Sequence, residues 1–324
     1  MGKRRVFVTR PLAPAALEIL AEKCQLEVRR QDAPLAPEQL AAACREVEGL
    51  LVVGTRVTED VLKQASKLRA ISNAGVGYDN IDIAACTARR IPVTNTAGVL
   101  EETTADLAFA LLLAVARRVV EGDRTIREDR WHEWLWGLLH GADVHDKTLG
   151  LYGFGRIGQA MARRGRGFSM RILYYARRRV DETVERETGA QYADRQTLLG
   201  ESDFLSLHVP LAAQTHHAIA ARELALMKPT AFLINTARGK VVDEGALVEA
   251  LETKKIAGAG LDVFEHEPHV HPALVGMSNV VLAPHVGSAT TETRFRMAQL
   301  AAENLADLLD GRRPANVVNP EVYR

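Results

Sequence analysis

The chain carries no net charge. Its 324 residues hold 41 Lys plus Arg against 41 Asp plus Glu. A protein that coats nucleic acid or an anionic membrane needs a global positive field, so neither partner is expected. Cysteine is scarce: Cys24, Cys44 and Cys86 are the only three. Their spacing matches no metal-ligand pattern, and an odd, sparse set argues against a disulfide framework. Buried structural thiols in a reducing compartment are expected, and no metal site is. No apolar run reaches the roughly 18 residues of a membrane-spanning helix; the longest candidate is 107–116. The start, MGKRRVFVTRP, is basic but lacks the apolar stretch and cleavage site of a secretory signal. A cytoplasmic protein is therefore expected.

What remains is an ordinary globular mix, 47% hydrophobic and 25% charged, which argues against disorder. Length divided by about 150 predicts two domains. Strands are expected at 5–9, 25–28, 50–53 and 68–72, with helices at 15–23, 37–47 and 59–65 between them. Strands separated by helices imply βαβ crossovers and a parallel sheet. The strands are mostly continuous apolar runs, as expected when both faces are covered. A long helix is expected over 102–129, capped by Thr103 or Thr104, with acids in its first turn where the dipole favours them. Its middle, LAFALLLAVA, is apolar all round and should be buried between units. Segment 130–147 holds all three tryptophans and reads as a linker or a partner contact. A second series of strands follows at 148–152, 171–175, 204–208, 231–235, 257–262 and 280–283. Helices are expected at 157–167, 222–226 and 244–253, and an amphipathic one at 291–309 with Gly311 as its stop.

One motif names a ligand class. Gly153-x-Gly155-x-x-Gly158 follows a strand and opens a helix, the context that turns a weak pattern into a dinucleotide fingerprint. The first glycine permits the turn, the second lets backbone approach a pyrophosphate, and the third lets helix and strand pack closely. Phe154, Arg156 and Ile157 complete the loop, whose helix N-terminus offers N–H groups to the phosphates. An NAD site places an acid at the end of the next strand, for the ribose 2′-hydroxyl. Here Tyr175 is followed by Ala176, Arg177, Arg178 and Arg179. Guanidinium groups suit a 2′-phosphate, so NADP(H) is the expected cofactor, with NAD(H) possible. Asp181 falls past the turn.

The remaining motifs resemble those of the D-isomer-specific 2-hydroxyacid dehydrogenases, in the glyoxylate/hydroxypyruvate reductase branch. They are Asn73-Ala-Gly-Val-Gly-Tyr-Asp-Asn-Ile-Asp82, the glycine motif, Leu233-Ile-Asn-Thr-Ala-Arg-Gly-Lys-Val-Val-Asp243, Gly260-Leu-Asp-Val-Phe-Glu-His-Glu-Pro268 and Ala283-Pro-His-Val-Gly-Ser288. The resemblance implies an α/β protein of two doubly wound parallel-sheet domains. A flavodoxin-like substrate domain, 1–98 plus 289–324, would be interrupted by a Rossmann cofactor domain, 99–288. It also implies a homodimer with the long helix in the interface.

Residue by residue, the family's catalytic arginine matches Arg238, its histidine His285 and its glutamate Glu267 rather than Glu265. The chemistry suits these types. A guanidinium fork can hold a 2-oxo acid's carboxylate and polarise its carbonyl. A histidine titrating near working pH can deliver the proton that the alkoxide needs. A neighbouring carboxylate orients it and favours imidazolium. The resemblance further assigns Val76, Gly77 and Ser288, with Arg238 and His285, to the substrate. To the cofactor it assigns Thr104, His208, Val209, Pro210, Thr236, Ala237 and Asp262, besides Arg238 and His285. His269 and His271 read as loop residues. The tryptophans Trp131, Trp134 and Trp136 exceed the family pattern; they read as dimer packing, with Trp136 entering the partner's active site as the alternative.

The expected activity is therefore reduction of glyoxylate or hydroxypyruvate to the 2-hydroxy acid. 2-Ketogluconate reduction and phosphite oxidation use the same residue set and stay open. Formate dehydrogenases carry glutamine where Glu267 stands. A nucleotide-sensing corepressor is the non-enzymatic alternative, though such proteins usually carry binding tails.

Overall fold

The computed structural model describes residues 3–33 and 35–324. By contact they form two compact units: residues up to Leu100 with Ser288–Arg324, and Glu101–Gly287.

The first unit alternates β1 (Arg4–Val8), α1 (Pro14–Lys23), β2 (Cys24–Val28), α2 (Pro37–Cys44), β3 (Gly49–Val52), α3 (Glu59–Gln64), β4 (Ala70–Asn73), α4 (Ile83–Ala88) and β5 (Val93–Thr94). The five strands are parallel in the order β2-β1-β3-β4-β5. Val6 of β1 lies beside Leu26 on one side and Gly49 on the other. β3 and β4 are buried along their whole length. The C-terminal helix, Thr291–Leu309, returns to this unit, where Ala301, Ala302, Leu305 and Leu309 share a core with Val6, Leu20 and Leu51. Strand order reverses between β1 and β3, the switch point at which open α/β sheets bind ligands beyond their strand C-termini.

The second unit continues with α5 (Glu101–Ala116), α6 (Val119–Arg127), β6 (Thr148–Tyr152), α7 (Arg156–Gly167), β7 (Arg171–Tyr175), α8 (Glu182–Thr188), β8 (Ala190–Tyr192), α9 (Arg195–Glu201), β9 (Phe204–Leu207), α10 (Ala221–Leu224), β10 (Phe232–Asn235), α11 (Glu244–Glu252), β11 (Gly258–Leu261), α12 (Pro272–Gly276) and β12 (Val280–Leu282). Thr291–Leu309 is then α13. Its seven strands are parallel in the order β12-β11-β10-β9-β6-β7-β8, with the reversal between β6 and β9. The two doubly wound sheets expected from the sequence are both present.

Three expectations need correction. The helix expected over 102–129 is two helices, because Arg118 takes a left-handed φ of +52°. Its guanidinium bridges both oxygens of Glu121 at 2.8 Å and starts α6 afresh. Thr103 and Thr104 lie inside α5, which begins at Glu101; Glu102 in its first turn pairs with Arg163 and Arg164. The apolar middle of α5 is buried against elements of its own unit. It packs on α7, β10 and β11, and a Cβ at Gly260 would stand only 3.0 Å from the Leu111 Cβ. Short elements of two to seven residues (α4, β5, α8, β8, α9) were not foreseen.

All three cysteines are buried and free. Burial pushes the Cys44 and Cys86 thiols up to about 12. Among the described residues no helix is long and apolar enough to cross a membrane, and no cluster of His, Cys, Asp or Glu is disposed to hold a metal.

Candidate active site

His285 follows β12 in a left-handed conformation, φ +54°. A non-glycine residue there is uncommon and needs support. Asp262, the residue after β11, supplies it. Its carbonyl accepts the His285 N–H at 2.9 Å, and its carboxylate accepts the N–H groups of Val286 at 2.7 Å and Gly287 at 2.8 Å. Burial pushes the Asp262 carboxyl up, against the pull of those donors and of the His285 charge. A Cβ at Gly287 would sit 3.2 Å from this carboxylate and 3.4 Å from the Thr104 methyl, so Thr104 borders the same loop. The sequence assigned Asp262 to the cofactor and did not foresee its grip on this loop.

His285 Nδ1 lies 2.7 Å from Glu267 Oε2. An ionised carboxylate only accepts, so Nδ1 carries a proton and donates, which leaves Nε2 for chemistry. Glu267 Oε1 accepts the Phe264 N–H at 3.0 Å. Burial raises the Glu267 carboxyl, but the hydrogen bond and charge of His285, the Phe264 N–H and the charge of Arg238 outweigh it, and it ends below its ordinary value.

Arg238 stands on the loop after β10. Asn235 shapes that loop: its side chain accepts the Ala237 N–H and donates to the Arg238 carbonyl, both at 3.0 Å. Gly239 fixes how close the loop comes to the Glu267 turn. A Cβ there would stand 1.9 Å from the Phe264 carbonyl, so the two backbones touch and only glycine fits.

Two further acids hold the turn, and sequence reasoning missed both roles. Glu244, buried at the start of α11, accepts the Glu265 N–H at 3.0 Å and the His271 N–H at 3.2 Å. Glu265 accepts the Glu244 N–H at 3.3 Å and pairs with His217 at 2.9 Å. Of the two candidate glutamates, Glu267 thus faces His285 and Glu265 faces the opposite way. The only signal in sequence was a glutamate directly after the Asp243 helix cap. His271 caps α12 by accepting the Ala273 N–H, and His269 closes a turn onto the His266 carbonyl.

The glycine loop has the steric form the motif demands. Gly153 takes φ +100°, and a Cβ on it would meet the His208 carbonyl at 2.4 Å. His208 and Val209 therefore lie against this loop, and Pro210 follows them in the chain. A Cβ on Gly158 would meet the Gly153 carbonyl at 2.4 Å, whereas one on Gly155 would meet nothing within 4 Å. Gly155 thus borders open space at the start of α7, where a pyrophosphate needs room. Thr236, after β10, has a buried hydroxyl without a protein partner among the described residues. These residues fit a dinucleotide. The His208 imidazole bonds Ser206 Oγ at 2.9 Å, and desolvation pushes its pKa down to about 3. Beyond β7, Arg179 is committed to Glu185 by a bidentate pair at 2.8 and 2.7 Å. The three-arginine reading therefore narrows to Arg177 and Arg178, which are exposed beside Ala176. Val76, Gly77 and Ser288 belong to the first unit.

Residues 109–287 match the model of the D-isomer specific 2-hydroxyacid dehydrogenase NAD binding domain. The chain is 50% identical to the glyoxylate reductase of Thermococcus litoralis over 99% of its own length and 98% of that protein's. The chain belongs to the D-isomer specific 2-hydroxyacid dehydrogenase family. Like its relatives, this dehydrogenase is an NAD(P)-dependent oxidoreductase. It superposes on a Thermus thermophilus protein with a TM-score of 0.90 at 44% identity, covering 97% of this chain and 99% of that one. It superposes on the NADPH-dependent glyoxylate/hydroxypyruvate reductase of Sinorhizobium meliloti, solved with NADP and malonate, with a TM-score of 0.89 at 35% identity, covering 99% and 98%.

The depressed Glu267 carboxyl makes a pH prediction for this dehydrogenase. A carboxyl held below its ordinary 4.5 in the fold stabilises fully above that value and loses the contribution as pH falls through the lower one. Wild type should melt above Glu267→Gln at about pH 6, and the gap should narrow as the pH falls below that ordinary value. Thermal melts across that range check it; a gap that widens toward acid contradicts the pairing.

Proposed function

We propose that this dehydrogenase reduces glyoxylate or hydroxypyruvate to the 2-hydroxy acid, with NADPH as preferred reductant. The observation that carries the reading is the Arg238, Glu267 and His285 group, with Nδ1 tied to Glu267 and Nε2 left for a proton. Its support is the relatives named glyoxylate reductase.

Arg238 binds the substrate and polarises its carbonyl, because a guanidinium offers a fork of donors and a fixed charge. His285 gives its Nε2 proton to the carbonyl oxygen as charge builds there. Glu267 stabilises the imidazolium before transfer and keeps the ring oriented after it. The N–H groups of Val76 and Gly77 hold the carboxylate, and Ser288 lines the substrate. The loop Gly153–Gly158, with Thr104, His208, Val209, Pro210, Thr236, Ala237 and Asp262, holds the cofactor, which when bound supplies the hydride.

His285→Ala should lower glyoxylate-dependent NADPH oxidation by about 10²–10⁴-fold, the usual worth of a general acid. Arg238→Ala should lower it by about 10²-fold or more. Spectrophotometric rates on glyoxylate and hydroxypyruvate check both, and near-wild-type turnover by either variant rejects the assignment.

The preference for NADPH rests on Arg177 and Arg178. Both are exposed and, among the described residues, have no ion-pair partner, so a 2′-phosphate would not compete with an acid. Arg177→Ala should raise the KM for NADPH about tenfold, one lost charge-assisted hydrogen bond, and leave that for NADH nearly unchanged. Equal effects on the two cofactors refute this role.

We also propose a cytoplasmic homodimer. The free cysteines suit a reducing compartment. Trp131, Trp134 and Trp136 are 51%, 71% and 82% exposed, a cost that burial against a second copy removes. Sedimentation equilibrium should find a dimer that Trp134→Glu weakens; a wild-type monomer, or a variant indistinguishable from wild type, counts against it.

A further inference from the structure

The loop after β4 has an arrangement that its sequence does not announce. Asn73, the last residue of β4, is buried, and its Nδ2 donates to the Gly75 carbonyl at 3.1 Å and to the Gly77 carbonyl at 2.8 Å. The Gly75 carbonyl also accepts the Thr96 N–H at 3.2 Å. Between them, the Val76 carbonyl accepts from Asn95 Nδ2 at 2.9 Å. Three successive carbonyls are thus held by two side-chain amides. The wrap is close at Gly75, where a Cβ would stand 3.3 Å from Asn73 Nδ2 and press on it.

The consequence follows from peptide geometry. In a planar trans peptide the N–H points opposite to the C=O, and the peptides here are trans. Turning the Gly75 carbonyl toward Asn73 turns the Val76 N–H away from it. Fixing the Val76 carbonyl on Asn95 turns the Gly77 N–H away, and fixing the Gly77 carbonyl on Asn73 does the same for Tyr78. Among the described residues, the N–H groups of Val76, Gly77 and Tyr78 have no protein acceptor. Consecutive N–H groups held without acceptors form a site for an anion. The loop lies past a strand C-terminus, where open α/β sheets bind ligands.

Asn95 is itself braced. Its N–H donates to the Asn316 carbonyl at 3.1 Å, its carbonyl accepts from Asn304 Nδ2 of α13 at 3.1 Å, and its Oδ1 accepts the Ala97 N–H at 3.3 Å. The amide that turns the loop is therefore fixed from three sides, and the donors are oriented before any ligand arrives, which lowers the ordering cost of binding.

We infer that Asn73 and Asn95 are positioning residues for the substrate carboxylate, and that the Tyr78 N–H joins those of Val76 and Gly77 as a third donor. The inference rests on the 2-oxo acid reading above and deepens it. Neither asparagine touches the substrate; each acts by holding carbonyls that would otherwise swing out and repel the anion.

The test replaces each amide by a carboxylate, which cannot donate to a carbonyl. In Asn73→Asp the KM for glyoxylate should rise at least about tenfold, by more than kcat falls, while the KM for NADPH stays within about twofold. The Kd of oxalate, measured by calorimetry on the NADP-saturated protein, should rise in parallel. Asn95→Asp, which keeps the acceptor for the Ala97 N–H, should show the same split and carries the test if Asn73→Asp does not fold. A folded variant that binds oxalate as wild type does, or that loses kcat with KM and Kd unchanged, overturns the inference while leaving the 2-oxo acid reading intact. A wild type that neither turns over glyoxylate or hydroxypyruvate nor binds oxalate overturns both.

Discussion

Two parallel sheets with strands buried on both faces leave this chain one place for chemistry: the loops past the strand C-termini. In the central strands the backbone groups are spent on neighbours at both sides, and side chains such as those of β9, β10 and β11 are wholly buried. A polar group left unpaired there would cost more than it could return. The glycine loop follows β6, Ala176 to Arg178 follow β7, His208 follows β9, Arg238 follows β10, Glu267 lies on the turn after β11 and His285 follows β12. The carboxylate loop at Val76 obeys the same rule after β4.

Such loops have no ladder to satisfy their own backbone, so something else must define them. In the second unit acids do it. Asp262 takes two N–H groups of the histidine loop, Glu244 takes those of Glu265 and His271, and Glu267 takes that of Phe264 while holding His285. Glu267 therefore holds a backbone N–H of its own turn and the His285 ring on the same carboxylate. Its orientation toward His285 is set by the turn rather than by the histidine alone. The contact of Gly239 with the Phe264 peptide ties this turn to the arginine loop, so two of the three candidate catalytic side chains share one backbone seam.

The degree to which this was readable in the sequence follows from how local each cause is. The glycine motif, the apolar strands and the order of the family motifs are local and specific, and the fold followed from them. The break at Arg118 was invisible because no glycine or proline marks it; its cause is a guanidinium reaching forward to Glu121. Arg179 looked like a phosphate reader because its partner, Glu185, arrives a turn of helix later. Asp262 and Glu244 were misjudged or missed for the same reason at longer range, since their donors lie 21 to 27 residues on. An acid that serves as an internal acceptor and one that faces a ligand are identical in one dimension.

The two units use opposite chemistry to the same end. Carboxylates accept, so in the second unit they consume N–H groups of the loops that carry Arg238 and His285, the donors of the proposed site. Amides also donate, so in the first unit Asn73 and Asn95 consume carbonyls and release N–H groups. Had acids stood at those two positions, the carbonyls would have faced outward and an anion would have been repelled. The zero net charge of the chain is compatible with binding an anionic acid for this reason. In the proposed reading, attraction would come partly from Arg238, and partly from neutral peptide dipoles that two buried amides hold in one direction. Those dipoles cost the fold no buried charge, and they do not change with pH, whereas the pairing on Glu267 does.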